Sequence, residues 1–198
     1  TKLHATAGVN ISTNTVCDKI LTDQRGHVKA VRLADVTELT CQPMLASIGV
    51  IPDSHLAKKA ELPMDNGIMI SASYRSLDPA IWAIGDFANA PHRYVSRIES
   101  IHHVQLSARN AAADMLGTTI PTYEALWFWS DQYDVKFQMA GVSPICWDGA
   151  LQYVSRVGRR EGSLSNCSCC ESKLVTAKAA NDGQAYMIGK KYLQAGIS

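Results

Sequence analysis

Gly85-Asp86 ends an extended apolar run, Ile81 to Ile84, within the string Asp78-Pro-Ala-Ile-Trp-Ala-Ile-Gly-Asp86. A buried strand that stops on Gly then Asp presents one carboxylate at its carboxyl end, where open α/β sheets hold their ligands. A carboxylate only accepts hydrogen bonds and can take two hydroxyls at once. It therefore suits the polyol chain of a nucleotide cofactor and repels a phosphate. Taken alone, the pair fits a turn or helix-cap aspartate better than a ligand site. A second rare string follows, Trp127-Phe-Trp-Ser-Asp-Gln-Tyr133. Trp127 and Trp129 are either core aromatics or flat amphipathic surfaces for a planar ring.

Two further groupings invite chemistry. His102-His103 suggests metal binding, but adjacent residues on a helix point about 100° apart and do not readily share one ion. Cys167-Ser-Cys169-Cys170 contains a C-x-x-C, yet no second pair stands at zinc-site spacing. It also does not open a helix after a strand, as a redox motif does. Three free thiols in a loop are the expectation there.

The elements that must position these groups follow from periodicity. Val28 to Leu33 and Thr37 to Cys41 read as a hairpin across Ala34-Asp35-Val36. Val36 stands where a tight turn favours Gly, which implies a longer turn or strain. Met44 to Ile48 reads as a buried strand, broken by Gly49-Val-Ile-Pro52. His55 to Leu62 reads as a short helix, and Gly67 to Ile70 as a strand after the Asp65-Asn66-Gly67 turn. Ile101, Val104, Ala108, Ala111 and Met115 recur at helical steps and predict one buried helix face. Ser96-Arg-Ile-Glu99 fits a capping box at its start and Gly117 the left-handed position after its end. Residues 118–123 read as a linker. Beyond it, Val135 to Gly141, Leu151 to Val157 and Leu174 to Ala180 are strands. A last helix carries Ala185, Ile188, Tyr192 and Ala195 on one face. That tail is an α+β unit, an antiparallel sheet with a packed helix.

Composition adds exclusions. The 198 residues are 46% hydrophobic and 19% charged with net charge +1, so the whole chain gives no signal for nucleic acid or a membrane surface. Six scattered cysteines form no disulfide framework, which points to a reducing cytoplasm. Residues 151–198 hold seven Lys or Arg against three Asp or Glu, a local excess that suits an acidic partner.

The order of these elements, with Val31-Arg-Leu-Ala-Asp35, Asp65-Asn-Gly67, Ser76-Leu-Asp-Pro79, Ala180-Asn181, Met187-Ile-Gly-Lys-Lys191 and the tryptophan string, resembles the flavin-dependent ferredoxin reductases of bacterial oxygenase systems, in the pyridine nucleotide-disulfide oxidoreductase superfamily. The resemblance covers essentially the whole chain. It implies an α/β plus α+β fold: a remnant of an NAD(P)-binding domain at 1–55, the returning segment of an FAD-binding domain at 56–122, and a carboxyl-terminal reductase domain at 123–198. It implies electron transfer from NAD(P)H through FAD to a [2Fe–2S] ferredoxin that serves an oxygenase, and it leaves a homodimer open. Gly85 and Asp86 would meet the ribitol of FAD. The helix start, Glu99, Ser100, Ile101 and His102, would meet the edge of the flavin that gains negative charge on reduction. Trp127 or Trp129 would shape the nicotinamide and electron-exit region. The thirteen glycines include no G-x-G-x-x-G, whereas such reductases are longer and carry two of these fingerprints. The chain therefore reads as a carboxyl-terminal portion that binds FAD weakly and is inactive alone. A non-catalytic module for dimerisation or partner docking is the alternative.

Overall fold

The computed structural model describes residues 2–90, 97–120, 124–142 and 151–196. The chain divides into two compact units, Thr1–Val50 and Ile51–Ser198.

The first unit holds a short helix, α1 (Lys2–Thr6), and an antiparallel sheet in the order β1 (Cys17–Thr22), β2 (Val28–Leu33), β3 (Glu38–Thr40). The expected β2–β3 hairpin is present, with Val31 opposite Leu39. Its turn carries the anticipated strain, because Val36 has φ +64°, a region that a β-branched residue rarely enters. The Val36 amide donates to the Leu33 carbonyl and the Asp35 carboxylate accepts from the Thr37 amide. That backbone hydrogen bond holds the Asp35 carboxyl below its ordinary value. Strand β1 carried no clear alternation in the sequence. The buried strand expected at Met44 to Ile48 does not form: the segment has no regular structure, with Leu45 and Ile48 more than nine-tenths exposed. An apolar run becomes a strand only beside a partner that completes its ladder, and no described strand flanks it.

The second unit begins with α2 (His55–Lys59), shorter than the expected helix, and β4 (Ile68–Met69), which pairs in parallel with β5 (Ala88–Asn89). Gly67, at φ +134°, lets the backbones meet: a Cβ there would lie 2.7 Å from the Phe87 carbonyl oxygen. Ile81 to Ile84 is not the buried strand expected. It is one arm of a short irregular hairpin with a single bridge, Arg75 to Trp82, and Ile84 is exposed. Trp82 Nε1 and the Arg75 guanidinium instead converge on Asp114 at 2.7–2.9 Å, tying that arm to the next helix.

That helix, α3, runs Ile101–Met115. Its N-cap is Ser100, whose hydroxyl accepts from the His103 amide at 3.1 Å. The predicted capping box is displaced by this local bond. Ser96 lies outside the described residues, and Glu99 precedes the helix, paired with Arg97 at 2.5 Å. The far end is as predicted. Gly117 has φ +63°, its amide donates to the Asp114 carbonyl, and the Thr118 amide donates to the Ala113 carbonyl, the paired bonds of a Schellman motif. Of the predicted face only Ala111 is buried. His102, His103, Leu106, Ser107 and Ala111 are buried, whereas Ile101, Val104 and Met115 are exposed. Residues 118–120 are exposed coil, and linker positions 121–123 lie outside the described residues.

The tail is the α+β unit expected. Its antiparallel sheet is ordered β6-β7-β10-β9-β8, from β6 (Trp127–Gln132), β7 (Val135–Gly141), β8 (Gln152–Val157), β9 (Leu164–Cys170) and β10 (Lys173–Ala180). Central β10 is the most buried and edge β8 is exposed throughout. Helix α4 (Gly183–Ala195) packs on this sheet, capped by the Asp182 carboxylate, which accepts from the Ala185 amide. It buries Tyr186 and Gly189, not the Ile188–Tyr192 face. Gly189 sets that choice, since a Cβ there would lie 2.3 Å from Ala177 Cβ. The cysteine cluster lies within β9, not in a loop. Cys167 and Cys170, three apart in a strand, face opposite sides and do not meet. Leu126 and Phe128 pack with Ile98 and Leu106, joining the tail to α3. Among the described residues no helix is long and apolar enough to cross a membrane.

Candidate functional site

Gly85 opens one turn of 3-10 helix, Gly85–Phe87, with φ +66°. Its amide donates to the hydroxyl of fully buried Ser107 at 3.0 Å, and that hydroxyl donates to the Val104 carbonyl at 2.9 Å. The turn is thereby fixed on the second turn of α3. The glycine is required by its backbone angle more than by space, since an added Cβ would make an ordinary 3.4 Å contact with Val104. Asp86 follows, exposed, and its carboxylate pairs with no described residue. Its main-chain oxygen accepts from the Arg97 guanidinium at 2.9 Å.

Around Asp86 the surface is apolar. Ile84 and Phe87 flank it in the chain, and exposed Val104 touches Gly85, with exposed Ile101 one turn earlier on the same helix face. This is the first half of the face predicted to be core. A half-apolar, hydrogen-bonding surface beside a helix N-terminus suits a flat polar ring system better than water alone. Ser100 lies at the helix end with its side chain used as the cap. Glu99 is drawn aside by Arg97, so its carboxylate does not crowd that end.

The two histidines diverge, as adjacent helical positions must. His103 Nδ1 lies 2.9 Å from the Ile98 carbonyl, which only accepts, so Nδ1 carries the proton. Nε2 then accepts from the Tyr74 hydroxyl at 3.2 Å. His103 is a core histidine. His102 turns toward the tail: Nε2 meets Glu124 at 3.1 Å, and its ring lies 5.4 Å from Trp127. Its Nδ1 is buried with no partner among the described residues. Glu124 also accepts from Arg109, and the His102 hydrogen bond, followed by the Arg109 charge, holds its carboxyl below the ordinary value.

Trp127 and Trp129, two apart on one strand, share a face, with ring centroids 5.3 Å apart and tilted 34°. Trp127 is half-buried against the tail core and carries the Lys190 ammonium 4.9 Å from its ring centre. Trp129 is 44% exposed. A continuous contact series thus runs from His102 at the start of α3 through Trp127 to Trp129 at the surface. The structure brings His102, Trp127 and Trp129 together, and Gly85, Asp86, Val104 and Ile101 together, each group meeting the first turns of α3, through His102 in one and Ile101 and Val104 in the other. Glu99 joins neither. Sequence reasoning missed Ser107, Glu124 and Lys190. Ser107 was detectable only as a polar residue one helical turn after Val104, nothing local marked Glu124, and Lys190 stood within the Met187–Lys191 string with no role attached.

Compared with known proteins, residues 1–111 match the family described as pyridine nucleotide-disulphide oxidoreductase, and residues 127–198 match the reductase C-terminal family. The chain belongs to the pyridine nucleotide-disulphide oxidoreductases. It is 39% identical to putidaredoxin reductase of Pseudomonas putida over 145 residues, 71% of this chain and 34% of that protein. It is 31% identical to rhodocoxin reductase of Rhodococcus erythropolis over 193 residues, 96% of this chain and 44% of that one. The reductase in a crystal structure of a covalent putidaredoxin reductase–putidaredoxin complex superimposes with a TM-score of 0.89 at 30% identity, covering 98% of this chain and 47% of that chain. The chain therefore spans less than half the length of these oxidoreductases. The mixed α/β architecture with a carboxyl-terminal reductase domain is that of this family.

Proposed function

We propose that this chain forms part of a flavin-dependent ferredoxin reductase that carries electrons from NAD(P)H through FAD to a [2Fe–2S] ferredoxin of an oxygenase system. In this reading residues 1–55 belong to the NAD(P)-binding domain, 56–122 to the FAD-binding domain and 123–198 to the carboxyl-terminal domain. The observation that carries it is the exposed Asp86 carboxylate, fixed by Gly85 beside the open apolar face of α3. The residues present fit a flavin. Asp86 offers acceptors to ribitol hydroxyls, and Ile101 and Val104 offer apolar contact. The amides at the start of α3, from Ser100 to His102, favour negative charge nearby. FAD, when bound, supplies the two-electron to one-electron conversion; the protein supplies placement and electrostatics. Trp129, the more exposed indole, faces the nicotinamide or electron-exit region. No side chain is required as a nucleophile.

The test begins with FAD titration of the 198-residue chain, read by flavin fluorescence. Weak binding that Asp86→Ala removes, with no NADH-driven dye reduction, is expected, because no G-x-G-x-x-G cradles the pyrophosphate. Adding a relative's amino-terminal FAD segment should yield a yellow protein that reduces ferredoxin with NAD(P)H and loses its flavin on Asp86→Ala. A colourless protein that still captures ferredoxin would overturn the reading in favour of a docking module.

A further inference from the structure

The tail domain holds a second site, away from the α3 residues. Two cavities lie between α4 and the β8–β9–β10 face, and Arg156 lines both. One, of about 520 Å3, is walled by Val154, Leu174, Ile188 and Tyr192 and floored by Gly189. The other, of about 340 Å3, is walled by Arg156, Arg159, Arg160, Ser163 and the start of α4 at Asp182 to Gln184. Both volumes lie in the range of small-molecule sites.

The polarity of this groove is sorted along its length by two elements at once. On the sheet, Val154 stands opposite Cys167 and Arg156 opposite Ser165, so the shared face passes from apolar to cationic toward the β8–β9 turn. That turn adds Arg159 and Arg160. On the helix, Ile188 and Tyr192 lie over the apolar end, and the polar first turn lies over the arginines. The turn itself is pinned: the Gly158 amide donates to the Ser163 carbonyl, and the Ser163 hydroxyl donates to the Arg160 carbonyl at 2.6 Å. A Cβ on Gly158 would strike Ser163 Oγ at 2.2 Å. Among the described residues none of the three guanidinium groups has a carboxylate partner. Asp182 is used as the α4 cap. Asp182 offsets one of the three charges in that cavity, and the cationic excess that remains favours an anion that accepts two or more hydrogen bonds, a fork that carboxylate geometry matches.

From this sorting we infer that the groove binds a small amphipathic carboxylate, with its head on Arg156 and the Arg159–Arg160 turn and its hydrocarbon body between Ile188, Tyr192 and Val154. The inference does not rest on the flavin reading, and its test uses neither FAD nor electron transfer. Decanoate is titrated into the 198-residue chain by calorimetry. Saturable binding of one equivalent is expected, weakened at least tenfold by Arg156→Ala and by Ile188→Asp, and at least tenfold weaker for decanol. Cys167 lines the apolar end, and burial keeps its thiol raised and slow to react. Decanoate should slow its alkylation further, as mapped by mass spectrometry. Three results overturn the inference: no saturable binding, equal affinity in Arg156→Ala, or inorganic phosphate binding as tightly as decanoate. A dimer that Ile188→Asp dissociates and that excludes decanoate would also overturn it, assigning the groove to a second copy.

Discussion

At the scale of single residues, the chemistry-bearing positions are set by neighbours more than by their own type. Glu124 shows this. His102 and Arg109 stabilise its charged form, so its folded value lies below the ordinary 4.5. A depressed carboxylate adds stability that is complete above its unfolded value and is lost as pH falls through the folded one. The acid limb of stability should therefore flatten below pH 4.5 in Glu124→Gln, measured by urea unfolding across pH. Partial exposure of the pair keeps the effect small. Val36 offers a test of opposite sign. A β-branched residue in the left-handed region costs roughly 1–2 kcal/mol, and Asn enters it far more readily. Val36→Asn should stabilise the β2–β3 hairpin by about 1 kcal/mol, seen as slower amide exchange across Val31 and Leu39.

At the scale of elements, α3 is the hinge of the site, because both groups of candidate residues hang on its first turns. Its ends are local devices with separable energies. Ser100→Ala removes the cap bond to His103 and should cost about 1 kcal/mol in denaturant unfolding. Gly117→Ala has open space around the new Cβ. Its cost is then the backbone term alone, again about 1 kcal/mol. The existence, period and carboxyl end of α3 were legible in the sequence, since they depend on spacing and one glycine. The face it buries was not. Ile101 and Val104 fit a core stripe by hydropathy, but Ser107 is anchored to Gly85 and His103 to Tyr74 and Ile98, and these long-range bonds rotate the helix. The same happened in α4, where the missing Cβ of Gly189 draws its own face onto Ala177 and leaves Ile188 and Tyr192 open. Periodicity finds an amphipathic helix; it does not tell a face that meets the core from one that meets a ligand. The strand at Ile81 to Ile84 failed for a related reason. Trp82 and Arg75 find their partner in Asp114, so the segment ends as a short arm and never joins a wide ladder.

At the scale of the whole molecule, apolar surface remains uncovered in the Met44–Ile48 segment, where the sequence anticipates a buried strand, and just beyond it. Leu45, Ile48 and Val50, all in the first unit, are strongly exposed, two of them above nine-tenths, within six residues. A contiguous exposed run of this kind marks a surface that associates with another. Its backbone turns at Gly49, φ +89°, and is unpaired among the described residues, which adds free donors and acceptors to the apolar side chains. Burial of each such side chain contributes up to roughly 1.5–3 kcal/mol, set against the roughly 4–15 kcal/mol of lost freedom that association costs. The 198-residue chain should therefore associate weakly with itself, and more so in sulfate, which strengthens apolar burial. Replacing Leu45, Ile48 and Val50 with Lys should return it to a monomer in sedimentation velocity without loss of helix signal, because none of the three packs in a core. Association that weakens in sulfate, or persists unchanged in the triple variant, would place the sticky surface elsewhere. The α4 groove is then the next apolar surface to test, through Ile188→Asp.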